Sequence, residues 1–264
     1  MNLARKHPLA FVPTMGALHA GHESLIAIAR KCSTSVVVSI FVNPLQFENP
    51  DDLANYPRSL SEDQLRAELA GASEVWAPTV EEIYPAEVNR ISAGELGSRF
   101  EGEHRLGHFD GMLTVVNRLF ELVQPQWAIF GEKDYQQLFL VRKLVADLQL
   151  PIEIVSAPII RDSHGLALSS RNVRLSASDS TAAYVISRAL NRASQLEGLS
   201  EQRTCLHEIL ATEPRFTLDY AEIIDEANFE IATPGAQRTR ALVSGWVAGV
   251  RLIDNMAMKV SKVG

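Results

Sequence analysis

The chain has 264 residues, room for one large domain or two smaller ones, and 46% of them are hydrophobic with a mean hydropathy near zero. A formal charge of −7 and a pI near 5.5 exclude a broad nucleic-acid or anionic-membrane surface, so a bound phosphate must be held by a few placed cations and backbone amides. No apolar run reaches the ~20 residues of a membrane span and no signal-like leader opens the sequence, so a cytoplasmic location is expected.

In chain order, Leu9–Pro13 and Ser35–Val42 read as buried strands, and Gly21–Lys31 between them has the period of a helix. A strand at Ser73–Ala77, a helix at Gly111–Val123 and a strand at Trp127–Phe130 follow. Then come a helix at Tyr135–Leu148 and a strand at Ile152–Ile160. This alternation predicts a mostly parallel sheet covered on both faces. Beyond it, Ser178–Leu196 and Ser200–Ala211 read as helices. Asp219–Ile224, Ala241–Trp246 and Gly249–Ile253 read as strands, the last two joined through Val247-Ala248. The expectation is an α/β domain over residues 1–160 and a smaller α+β domain over 161–264. The two cysteines, Cys32 and Cys205, fall in helical segments and read as ordinary buried thiols. Cys205 and His207 have no second pair at ligand spacing, so no metal centre is expected.

The strongest local pattern is Pro13-Thr14-Met15-Gly16-Ala17-Leu18-His19-Ala20-Gly21-His22, where the first strand hands over to the first helix. Ligands of open parallel sheets bind beyond the carboxyl ends of the strands, and a helix start offers free N–H groups to phosphate. His19 and His22 could donate to phosphate oxygens, or serve as satisfied polar residues at a helix start. The dinucleotide fingerprint G-x-G-x-x-G is absent. Asn43 and Gln46 follow the second strand into the same crevice, and neutral amides suit a ligand bearing hydroxyls and a carboxylate. For Asn43 the alternative is turn chemistry around Pro44. Gly131-Glu132-Lys133-Asp134 again follows a strand and opens a helix, and Lys133 there can neutralise phosphate charge. Ser169-Ser170-Arg171 joins two hydroxyls to a guanidinium, a clamp for outer phosphates or else a helix-capping segment.

The motif His19-Ala20-Gly21-His22 resembles the H-x-G-H signature of the nucleotidyltransferase superfamily. Further segments narrow it: Phe41 to Phe47, Tyr56-Pro57-Arg58, Phe130 to Gln137, Gly165 to Asn172 and Arg251-Leu252-Ile253-Asp254-Asn255. In that order, from Phe11 to Asn255, the chain resembles the pantothenate synthetases. Two departures stand out. Leu106 replaces the family's usual proline, and only about ten residues precede the first motif, which bears on local stability rather than catalysis.

The resemblance implies a Rossmann-like domain with a C-terminal lid, a homodimer, and condensation of pantoate with β-alanine using ATP and Mg2+ through pantoyl-adenylate. It runs ATP along Met15, Gly16, Ala17 and Leu18 into His19, Ala20, Gly21 and His22. It brings the ribose to Gly131 and Asp134, with Glu132 beside them, and the phosphates and the pantoate carboxylate to Lys133. Ile160 and Leu168 frame the adenine, while Ser169, Ser170 and Arg171 cover the outer phosphates. Gln46 and Gln137 hold pantoate, with Asn43 alongside. His19, His22, Lys133 and Arg171 are the expected catalytic groups, with His22 donating a proton near the α-phosphate. No dedicated magnesium ligand set is expected, and Asp63 is at most a water-mediated candidate. Other readings are a nucleotidyltransferase with a stable nucleotide-linked product, or a non-catalytic nucleotide-binding protein on the same fold.

Overall fold

The computed structural model describes residues 8–47, 53, 59–86 and 88–260. Five apolar runs form the first sheet: β1 (Leu9–Thr14), β2 (Ser35–Ile40), β3 (Glu74–Trp76), β4 (Trp127–Gly131) and β5 (Glu153–Ala157). All are parallel, in the order β3-β2-β1-β4-β5. Phe11, Val12, Val37 and Val38 are fully buried, as strands covered on both faces require. The helices of this part are α1 (Ala20–Cys32), α2 (Leu60–Ala70), α3 (Val80–Ile83), α4 (His108–Val123) and α5 (Tyr135–Asp147).

The strand order reverses between β1 and β4, and ligand crevices of open α/β sheets form at such a switch point. Here the pairing of β1 with β4 stops at Phe11 and Ala128. Pro13, two residues on, has no N–H with which to extend it. The carboxyl ends of β1 and β4 therefore leave the ladder side by side, one running into Met15–Leu18 and the other into a 3-10 turn at Glu132–Asp134.

The chain divides into two compact units, Met1–Pro158 and Ile159–Gly264. The second contains α6 (Ala177–Ala193), α7 (Leu199–Leu210) and an antiparallel sheet of β6 (Phe216–Asp225), β7 (Thr239–Val247) and β8 (Val250–Met258). Ile186, Leu190, Leu206, Ile223 and Val243 form its core. The expected architecture, a parallel α/β sheet followed by a smaller α+β part, is present.

Three details differ from the sequence reading. The β7–β8 turn is Ala248-Gly249, one residue later than expected, because both residues have positive φ (48° and 74°) and glycine accepts the second at little cost. Helix α4 starts at His108 instead of Gly111. Gly111 lies inside it because a Cβ there would come within 2.0 Å of the Leu45 carbonyl oxygen. Cys32 and Cys205 are only partly buried, and burial raises both thiol pKa values.

Candidate active site

The loop after β1 is held in a conformation that costs backbone strain. Gly16 and Ala17 both have positive φ, 86° and 50°. The Thr14 hydroxyl donates to the Ser39 carbonyl (2.7 Å) and accepts from Gly16 N (3.3 Å), which fixes the turn. Asp63, on the first turn of α2 and 3% exposed, then receives Ala17 N on Oδ2 (2.9 Å) and Leu18 N on Oδ1 (2.6 Å). A Cβ at Gly16 would stand 2.9 Å from that Oδ2, so glycine is required twice over, by φ and by space. The amides of Ala17 and Leu18 thus belong to a carboxylate of the protein, and the Leu18 side chain is in the core. Asp63 has both oxygens engaged, which makes it a loop cap.

The spacing H-x-G-H has a structural cause. His19 is the N-cap of α1 and its Nδ1 accepts from Gly21 N (3.0 Å), while His22 Nδ1 accepts from His19 N (3.3 Å). This is a capping box built from two imidazoles. The His19 ring lies over Gly21, where a Cβ would meet Cε1 at 2.7 Å and Nδ1 at 2.9 Å. With each Nδ1 accepting, each ring carries its proton on Nε2 and can offer that N–H to a ligand. The electrostatics agree. Burial, then the neighbouring His19, lowers the His22 pKa to about 3. Burial, then the Lys133 charge, lowers that of His19. Both rings are neutral at pH 7, so the proton-donating role expected of His22 becomes hydrogen-bond donation. The rings lie 4.2 Å apart between centroids.

The influence of Lys133 on both histidines puts its ammonium in the same neighbourhood. Its side chain is 19% exposed and its Nζ lies 3.6 Å from Asp134 Oδ1. Lys133 is thus less solvated than its position at a helix start suggests. Asn43 is the fully buried N-cap of the turn Pro44–Gln46. Its Nδ2 donates to Gln46 Oε1 and the Gly111 carbonyl (both 3.0 Å), and its Oδ1 accepts from Leu45 N (3.2 Å) and Tyr84 Oη (2.9 Å). All four places of that amide are filled by protein. Asn43 therefore orients Gln46 and is not itself free for a ligand. Gln46 Nε2 has no partner among the described residues, and neither has the partly buried side chain of Gln137. Its neighbour Gln136 is spent on structure, with Nε2 on the Leu96 and Arg99 carbonyls (2.8 and 2.9 Å) and Oε1 receiving Glu101 N (3.2 Å). Tyr56, Pro57 and Arg58 lie outside the described residues.

In the second unit, Ile160 and Leu168 face each other across a turn, with Leu168 N donating to the Ile160 carbonyl (2.9 Å). Ser169 caps the following 3-10 turn Ser170–Arg174 by accepting Arg171 N (3.3 Å). Arg171 is exposed, and its guanidinium has no protein partner among the described residues. Sequence reasoning named Asp63 only as a water-mediated magnesium candidate, and it missed Tyr84 and His108, whose Nδ1 donates to the Gln46 carbonyl (3.0 Å). Tyr84 and His108 carry no local signal, because each acts through a residue distant in sequence.

Among the described residues, no group of three His, Cys, Asp or Glu side chains is arranged to hold a metal ion. Each Asp63 oxygen already accepts one backbone amide.

The family model described as pantoate-beta-alanine ligase matches residues 1–257. A pantothenate synthetase of Acidothermus cellulolyticus is 49% identical over 96% of this chain and 86% of its own length. A pantoate–β-alanine ligase of Schizosaccharomyces pombe is 41% identical over 96% and 92%. Among solved structures, a pantothenate synthetase from Thermus thermophilus superposes with a TM-score of 0.91 at 43% identity, covering 96% of this chain and 94% of that one. The Francisella tularensis pantoate–β-alanine ligase, complexed with beta-gamma ATP and β-alanine, gives 0.78 at 36% identity over 97% and 92%. With residues 1–257 matched by the family model and relatives at 41–49% identity over nearly its full length, this chain belongs to the pantoate–β-alanine ligase family.

Proposed function

We propose that the chain condenses pantoate with β-alanine at the expense of ATP, through a pantoyl-adenylate. One observation carries this reading beyond family membership: two neutral imidazoles, whose Nε2–H groups have no partner among the described residues, and the ammonium of Lys133 meet at the switch point. Gln46 keeps its Nε2 and Gln137 its side-chain amide unpartnered among the described residues, groups that suit a polar acid.

A pantoate carboxylate oxygen attacks the α-phosphorus of ATP, the bond to the bridging oxygen breaks, and pyrophosphate leaves. The β-alanine amine then attacks the acyl carbon, AMP departs, and the nitrogen loses a proton as the amide of pantothenate forms. His19 and His22 donate hydrogen bonds to phosphate oxygens as charge builds on them. Lys133 lies between pantoate carboxylate and phosphate and offsets their repulsion. Gln46, oriented by Asn43, and Gln137 hold pantoate. Ser169, Ser170 and Arg171 take the outer phosphates, and Ile160 and Leu168 the adenine. No side chain is a covalent nucleophile. Magnesium carried by the nucleotide would supply neutralisation of phosphate charge. A cytoplasmic homodimer belongs to the same reading.

The test is product stoichiometry with the purified chain. One AMP and one pyrophosphate per pantothenate is expected. Release of ADP and phosphate, or a product still joined to the nucleotide, would contradict it.

A further inference from the structure

The segment Arg251–Asn255 of β8 takes no part in the proposed chemistry, yet it carries three polar side chains that are mostly buried. Two of its pairs stay within the three-stranded sheet and its edges. Arg251 grips Asp219 of β6 (2.7 Å), and Asn255 receives Arg240 of β7 (2.7 Å). The third leaves the sheet. Asp254, with a side chain 3% exposed, holds the guanidinium of Arg161 in a two-pronged fork, Oδ2 to Nη1 at 2.5 Å and Oδ1 to Nη2 at 2.8 Å.

Arg161 is the base of the hairpin that carries the outer-phosphate residues. Its Nη1 also donates to the Gly165 carbonyl (2.9 Å), and it bridges Ala167 across the turn. Asp162 Oδ1 accepts His164 N and Leu166 N (2.8 and 2.9 Å), and Asn172 Nδ2 donates to the Ala167 carbonyl (3.0 Å). The hairpin is thus internally rigid, and the fork joins it to β8. A two-pronged pair fixes angle as well as distance, which a single contact does not.

We propose that Asp254, acting through Arg161, is a positioning residue for ATP. It presets the hairpin so that Ser169, Ser170 and Arg171 meet the β- and γ-phosphates without reordering. This rests on the assignment of those three residues to the outer phosphates. Removing one partner would strand a buried charge and could unfold the unit, so the test removes both, as Arg161→Met with Asp254→Leu. A second variant, Asp254→Asn, keeps the oxygen that accepts Asn255 N (2.7 Å).

The double variant is expected to keep its Tm within a few degrees while KM for ATP rises about tenfold or more, the scale of a small misplacement of binding groups. KM for pantoate should hold. The second half-reaction, from synthetic pantoyl-adenylate and β-alanine, should run at the wild-type rate because that substrate has no outer phosphates. Asp254→Asn should show the same split in smaller measure. Removal of the in-sheet pair, as Arg251→Met with Asp219→Leu, is the control and should leave KM for ATP unchanged. Wild-type KM for ATP in the folded double variant overturns the inference, as does an equal rise in the control or unfolding of both Asp254 variants. A wild-type chain that makes no pantothenate would instead overturn the proposed function.

Discussion

Lys133→Ala is expected to lower pantoyl-adenylate formation by about 10³-fold or more while ATP still binds, the scale of losing a cation that acts in the transition state. The side chain is only 19% exposed, so truncation costs some packing, on the order of 1 kcal/mol, as for most single substitutions. That cost is too small to unfold the chain. Ground-state ATP keeps the imidazole donors and Arg171, so its affinity falls little. The transition state must bring a carboxylate against a phosphate, and Lys133 is the cation proposed to bridge them. Single-turnover measurement of adenylate formation checks this. Supplied with synthetic pantoyl-adenylate and β-alanine, the variant should recover most of its amide-forming rate. If it uses that intermediate as poorly as it uses ATP and pantoate, Lys133 is not specific to the first step.

Asp63→Ala is expected to cost nearly as much, about 10²–10³-fold in kcat/KM, although Asp63 need not touch a substrate. Its carboxylate satisfies two amides of a loop whose Ala17 sits at φ 50°, and a hydrogen bond to a charged group contributes about 1.5–3 kcal/mol. Without it the loop relaxes, and the capping box that follows loses its register. Asp63→Asn should do little better, because its NH2 would face one of the two N–H donors. Two readouts separate this role from a magnesium ligand. The His22 pKa, about 3 in the parent, should rise towards 6.5 in the variant as followed by NMR, since the burial that depresses it is lost. Excess magnesium should not restore activity. Recovery at high magnesium, with an unmoved His22 titration, would return Asp63 to the metal.

The parallel sheet was legible because β1, β2 and β4 are apolar runs bounded by turn residues, and strands buried on both faces leave little else to read. Helix α2 was not. Its leucines Leu60, Leu65 and Leu69 face solvent, and the positions it buries are Asp63 and Ala67. Hydrophobic periodicity has nothing to find in a helix whose inward face is a carboxylate and a methyl group. The capping role of Asp63 was lost with it, leaving that residue only as a water-mediated magnesium candidate. His19, His22 and Lys133 could be found because strand-to-helix turns localise them at the sheet's edge. Asn43 against Gln46, and Gln136 against Gln137, could be sorted only by resemblance and not by their own chemistry. Each pair has the same chemistry, and only distant partners such as Tyr84, Gly111 and Leu96 decide which amide is already used.

The proposed chemistry requires an acyl-adenylate to form before the amine is needed. Exchange of labelled pyrophosphate into ATP reads that step without any later one. Exchange is expected to require pantoate and to proceed without β-alanine, because attack on the α-phosphorus and its reversal involve only pantoate and the nucleotide. Exchange that appeared only when β-alanine was added would contradict it.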